Sequence, residues 1–148
     1  VIVVITGLIG MAACCWVAPA LGMDLSLMNP DLKWLFWPCL IFIWITAVPF
    51  YWILLIGWRL CSAIERDEFF TSYSARCFKH ISLLAVAECL LYLVGMMTLL
   101  VMQVLHPSIM MAMGLVIFIA LAIALVAAAL SHLIQKAADM KQENDLTV

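Results

Sequence analysis

From Trp37 to Trp58 the chain carries no charged residue. A stretch of that length and character has one stable form in a bilayer, a helix that satisfies its own backbone groups. At 1.5 Å per residue the two indoles stand roughly 31 Å apart, close to the ~30 Å thickness of the hydrocarbon, so they bracket a span at its two interfaces. Three further apolar segments share this character, at about 1–18, 81–105 and 109–133. The composition agrees: 68% of the 148 residues are hydrophobic and 11% are charged, against about 25% charged in soluble domains. The expected fold is all-α, an integral membrane four-helix bundle made of two transmembrane helical hairpins, with residues 1–148 as a single transmembrane domain.

The stretch 59–80 separates the hairpins and holds Arg59, Arg66, Arg76 and Lys79, four of the seven basic residues. Helix two is expected to run on to about Arg66. The cluster Glu65-Arg66-Asp67-Glu68 turns in water, and Thr71 or Ser72 caps the next helix. Beyond the cap, Phe70, Tyr73, Cys77, Ile81 and Leu84 recur at three- and four-residue spacing, an amphipathic approach to a span. The loop 59–80 and the tail 134–148 together carry six basic residues, whereas the two loops on the opposite side carry only Lys33. By the positive-inside rule the loop, the tail and both termini are expected in the cytoplasm of a bacterial cell membrane.

The first segment lacks a positively charged leader, so it reads as an uncleaved helix rather than a signal peptide, with a few residues expected upstream of Val1. Gly7 and Gly10 allow close helix approach, and Pro19 and Gly22 stop the helix. Asn29-Pro30-Asp31 is a helix start, with Asn as cap, Pro at the first position and a carboxylate at the positive end of the dipole. Pro49 sits near the middle of span two and is expected to kink it. His106-Pro107-Ser108 is expected to join spans three and four. Ala120, Ala124 and Ala128 repeat at four-residue spacing, with Ala127 and Ser131 beside them, a small-residue face suited to another helix.

Candidates for chemistry are few. Glu88 is the sole carboxylate inside a span, nine residues beyond Lys79 and so roughly 13 Å into the bilayer. Ala85, Tyr92 and Gly95 share its helical face, so it is expected to look into the protein, as a neutral carboxyl hydrogen-bonded to a neighbouring helix rather than as a proton relay. The six cysteines form no C-x-x-C and have no histidine at ligand spacing, so no metal site or cofactor is expected. Cys14 or Cys15 with Cys39 leaves a disulfide geometrically open. No Ser-His-Asp pattern, phosphate loop or H-E-x-x-H occurs, and no catalytic residue is assigned. A net charge of −2 without a clustered basic face speaks against direct nucleic-acid binding.

Two fragments carry a resemblance. The stretch 66–83, RDEFFTSYSARCFKHISL, resembles the G-x-P-F-[ST]-x-x-N-x-x-x-L-x-x-I segment of the YoaS-like family, small bacterial four-helix membrane proteins whose domain has no known function; Phe70 and Thr71 align with its Phe-Ser/Thr pair. The tail MKQENDLTV resembles that family's terminal L-x-x-E-N-D-L-T-[IV], with Glu143, Asn144, Asp145, Leu146 and Thr147 in place. Phe69 stands where the family often has Pro, and Ser74 where it often has Asn. The resemblance implies four helices and a small Cro/C1-type helix-turn-helix regulator encoded nearby as a partner.

Two readings of function stay open. The first is a non-enzymatic interaction or regulatory protein, whose cytoplasmic residues Phe69, Phe70, Thr71 and Tyr73 and tail residues Glu143 to Thr147 bind a partner or a second copy. The second is a small transporter or proton-linked carrier using Glu88. A carrier would usually show internal repeats or several intramembrane polar groups, so the first is preferred. In the tail, Asn144-Asp145 is expected either to stay part of a solvated end or to turn, letting Leu146 dock on Phe69, Phe70 and Tyr73.

Overall fold

The computed structural model describes residues 2–17, 19, 20, 23, 27, 30–66, 69–105 and 107–147, and every regular element among them is helical. Helix α1, Ile2–Ala12, passes into a π-helical stretch, Ala13–Val17. A 3₁₀ turn, Pro30–Leu32, leads into α2, Lys33–Glu65. Helix α3 spans Ser72–Val101 and α4 spans Pro107–Leu146. Of the four, α2, α3 and α4 are long and apolar enough to cross a membrane, and Ile2–Trp16 is a shorter apolar helix. Expectations for Gly22, Asn29, Asp67, Glu68, His106 and Val148 fall outside the described residues.

Burial is inverted relative to a water-soluble protein. Five of the buried apolar residues are alanines, at 75, 85, 120, 124 and 127, while most of the large apolar side chains, such as Leu83, Val94, Phe118 and Leu125, are exposed. Such a surface is stable only against lipid, where small residues let helices approach and large ones meet acyl chains. The chain is an all-helical membrane protein.

The helices outrun the apolar spans, because hydrophobicity marks the segment in hydrocarbon while backbone hydrogen bonding continues into water. The polar stretch 59–80 is therefore largely helical, α2 ending at Glu65 and α3 starting at Ser72. Thr71 is the cap: it is extended, and its Oγ1 accepts from Ser74 N at 3.4 Å. At its far end α3 stops at Val101, short of the expected 105. Gln103 takes φ 56°, with Gln103 N donating to Leu100 O at 3.0 Å and Val104 N to Leu99 O at 3.2 Å. This is a Schellman cap with glutamine in the left-handed position usually held by glycine, and the connection to Pro107 is longer than His106-Pro107-Ser108. Helix α2 runs through both Pro38 and Pro49.

Contacts divide the chain into two compact units, Val1–Leu54 and Leu55–Val148. In the first, Tyr51 Oη donates to the Gly7 carbonyl at 3.0 Å. Of the two glycines, Gly10 makes the close approach: a Cβ there would lie 3.0 Å from Phe50 Cε1, whereas one at Gly7 would meet Leu54 at an ordinary 3.8 Å. All six cysteines are free thiols.

The second unit is built on the antiparallel pair α3–α4. Three side chains cross it to main-chain carbonyls: Ser131 Oγ to Ala75 O at 2.7 Å, Ser82 Oγ to Ala124 O at 2.9 Å, and Cys89 Sγ to Ile117 O at 3.4 Å. Each rung lies seven residues from the next on both helices, a period of 3.5 that keeps one seam facing the partner through a left-handed supercoil. The ladder spans roughly 21 Å of α3. Met113, Ala120, Ala127 and Ile134, all buried, mark the same seven-residue repeat on α4. Ala128 does not belong to it and is exposed. A four-residue repeat drifts about 40° per step on a 3.6-residue helix, so by Ala128 the stripe has left the seam that Ala127 holds.

Candidate functional site

Glu88 sits on α3 between two buried seam residues, Ala85 and Cys89. It is half-buried, as are Tyr92 and Gly95 on the same face. Its Oε2 is buried and has no hydrogen-bond partner among the described residues. The interhelical bonds of this pair come instead from Ser82, Cys89 and Ser131. Glu88 thus contributes a carboxyl to the protein's apolar zone without serving as a rung of the ladder.

The aromatic residues near the α3 start are brought together by the turn out of α2. Phe69 packs edge-on against Phe70, with ring centroids 5.4 Å apart, and against Phe78 at 6.1 Å. Its ring is half-buried, which anchors the turn on α3, while Phe70 is 58% exposed and Tyr73 49%. Thr71 is committed to the cap. Phe69, Phe70, Thr71 and Tyr73 form one local surface of two outward aromatics on an anchored turn.

The tail residues stand elsewhere. Helix α4 passes α3's first turn at Gln135, whose Nε2 donates to Ser72 Oγ at 3.4 Å and to Asp139 Oδ1 at 2.8 Å. It then continues as helix to Leu146, roughly 17 Å further at 1.5 Å per residue. Asn144-Asp145 is not a turn. Thr147 closes the helix, its Oγ1 donating to the Glu143 and Asn144 carbonyls at 3.0 Å each. Leu146 is 81% exposed, so it is not docked on Phe69, Phe70 or Tyr73. The helix carries Glu143 to Leu146 on past the first turn of α3.

A third feature was not assigned from the sequence. Arg59, Ser62 and Ala63 on the last turns of α2 and Arg66 directly after it recur at three- and four-residue spacing, and with Trp58, Thr71 and Tyr73 they line a groove of about 650 Å³. Neither guanidinium has a carboxylate within salt-bridge distance among the described residues. The signal was legible as two arginines seven residues apart on one helical face, but in the sequence they serve only to orient the chain. No cluster of three or more metal-ligating side chains occurs among the described residues.

Comparison with known proteins now places the chain. Residues 20–148 match a family described as "Protein of unknown function (DUF2975)". The chain belongs to this family. The uncharacterized membrane protein YoaS of Bacillus subtilis (strain 168) is 31% identical over 147 residues, covering 98% of this chain and 92% of the relative. No solved structure matches. This DUF2975 member is a bacterial-type membrane protein of unknown function, and its residues carry no recognisable catalytic constellation among those described.

Proposed function

We propose that the chain is a non-enzymatic interaction protein of the bacterial cytoplasmic membrane, with the α2–α3 turn and both termini in the cytoplasm, and that its α4 arm and outward aromatics engage a protein partner. The orientation rests on six basic residues against one in the short polar segments. The observation that supports partner binding is the arm: α4 stays helical to Leu146, so a recognition element ordered before binding avoids part of the entropic cost of docking. A helix-turn-helix regulator is the partner that the family resemblance suggests; a second copy of the chain is the competitor.

Deleting Glu143 to Val148 is expected to leave insertion and the α3–α4 pair intact while removing partner capture. Crosslinking in cells followed by purification in mild detergent, with and without those six residues, measures this. Equal recovery of the same partners would reduce the arm to a solvated end. The second reading, a proton-linked carrier, is favoured by one observation, the buried Glu88 Oε2 without a hydrogen-bond partner among the described residues.

A further inference from the structure

We propose that the groove between the end of α2 and the start of α3 is a binding site for a phosphate-bearing anion, and that its occupant is the headgroup of an anionic phospholipid. The argument goes beyond partner binding and does not require it, although Thr71 and Tyr73 belong to both surfaces.

Arg59 lies on the last turns of α2 and Arg66 directly past its end, seven residues on, so their guanidinium groups originate roughly 10 Å apart. That separation suits two contacts on one headgroup, a phosphate and the polar group beyond it. Between them stand Ser62, a hydroxyl donor, and Ala63, whose small side chain leaves the groove open. Tyr73, on α3, also lines the groove, and its phenol supplies a further donor. Every polar side chain named here can donate, and none is a carboxylate. Arginine is the residue whose planar fork matches phosphate oxygens in pairs.

Position selects the lipid over a soluble phosphate. Trp58 is the last residue of the uncharged stretch, more than half exposed and at the level where indoles sit among headgroups. It lines the groove at the end that adjoins the uncharged stretch. Arg59 follows immediately, so the groove begins where acyl chains end, and a lipid can enter laterally with its phosphate already at guanidinium height. About 650 Å³ accommodates a headgroup.

The test uses the full-length protein in detergent, incubated with equal amounts of phosphatidylglycerol and phosphatidylcholine, with retained lipid counted by native mass spectrometry. The wild type is expected to prefer phosphatidylglycerol by about tenfold, because both lipids offer a phosphodiester to one arginine but only phosphatidylglycerol offers the other a hydroxyl acceptor in place of a choline cation. Arg59→Gln with Arg66→Gln should abolish the preference, and Arg59→Lys with Arg66→Lys should retain several-fold less phosphatidylglycerol than the wild type, because lysine keeps the charge without the fork. Arg76→Gln with Lys79→Gln removes equal charge from the same end outside the groove and should leave the preference in place. Monodispersity of each variant by size exclusion confirms folding. The proposal is overturned if the wild type shows no preference, if the lysine pair matches the wild type, or if the Arg76/Lys79 pair loses as much as the glutamine pair. Displacement of phosphatidylglycerol by millimolar inorganic phosphate would reassign the groove to a soluble phosphate and overturn the lipid assignment; retention supports it.

Discussion

Ala124→Leu is expected to destabilise the α3–α4 pair by roughly 2 kcal/mol or more. Ala124 is 4% exposed and its carbonyl accepts the middle rung from Ser82. Three added carbons have no space in the buried seam, and overpacking a tight interface costs about 1–3 kcal/mol. Pushing the helices apart also lengthens the Ser82 bond, worth roughly 0.6 kcal/mol on average and at most about 1.7 in membrane proteins. Ala128→Leu, four residues on and exposed, should change stability by less than about 0.5 kcal/mol. Thermal unfolding in detergent compares the two. Greater damage at Ala128 would mean that the four-residue stripe, and not the seven-residue seam, is the packing face.

Glu88→Lys is expected to cost about 3 kcal/mol, the penalty of a cation near the centre of a span, whereas Glu88→Gln should stay within about 1 kcal/mol of the wild type. Glutamine keeps the shape and length of the side chain without a charge, and no described cation faces Glu88 to be left unpaired. Yield of folded, monodisperse protein from membranes reads both variants. Equal loss in the two would show that an ionised carboxylate holds the structure. A folded Glu88→Gln that abolishes proton-coupled uptake in vesicles would instead establish the carrier reading.

Local chemistry was legible in the sequence where it depends on neighbouring residues. Thr71 as a cap and the end of α2 beside Arg66 follow from side-chain hydrogen bonding and from charge, which act over one turn. The end of α3 was not legible, because a left-handed cap is signalled by glycine and here glutamine takes φ 56°. The seam was half legible. Alanine spacing identified the packing face, but the choice of Ala127 over Ala128 depends on how two helices wind about each other, a property of the pair. The arm was misjudged at Asn144-Asp145, where turn propensity yields to a helix already propagating from α4 and closed by Thr147. The arginine groove needed the structure, since Thr71 and Tyr73 meet Arg59 and Arg66 only after the chain turns.

The proposed partner binding requires that the basic end and the α4 arm lie on one side of the membrane, in the cytoplasm. Single cysteines at Ser108 and Leu146, in a chain whose six native cysteines are replaced by alanine or serine, test this with an impermeant maleimide on intact cells and on inverted vesicles. Ser108→Cys should label in intact cells and Leu146→Cys only in inverted vesicles. Labelling of Leu146→Cys in intact cells, with Ser108→Cys reached only from the inside, would contradict the orientation and with it the cytoplasmic partner.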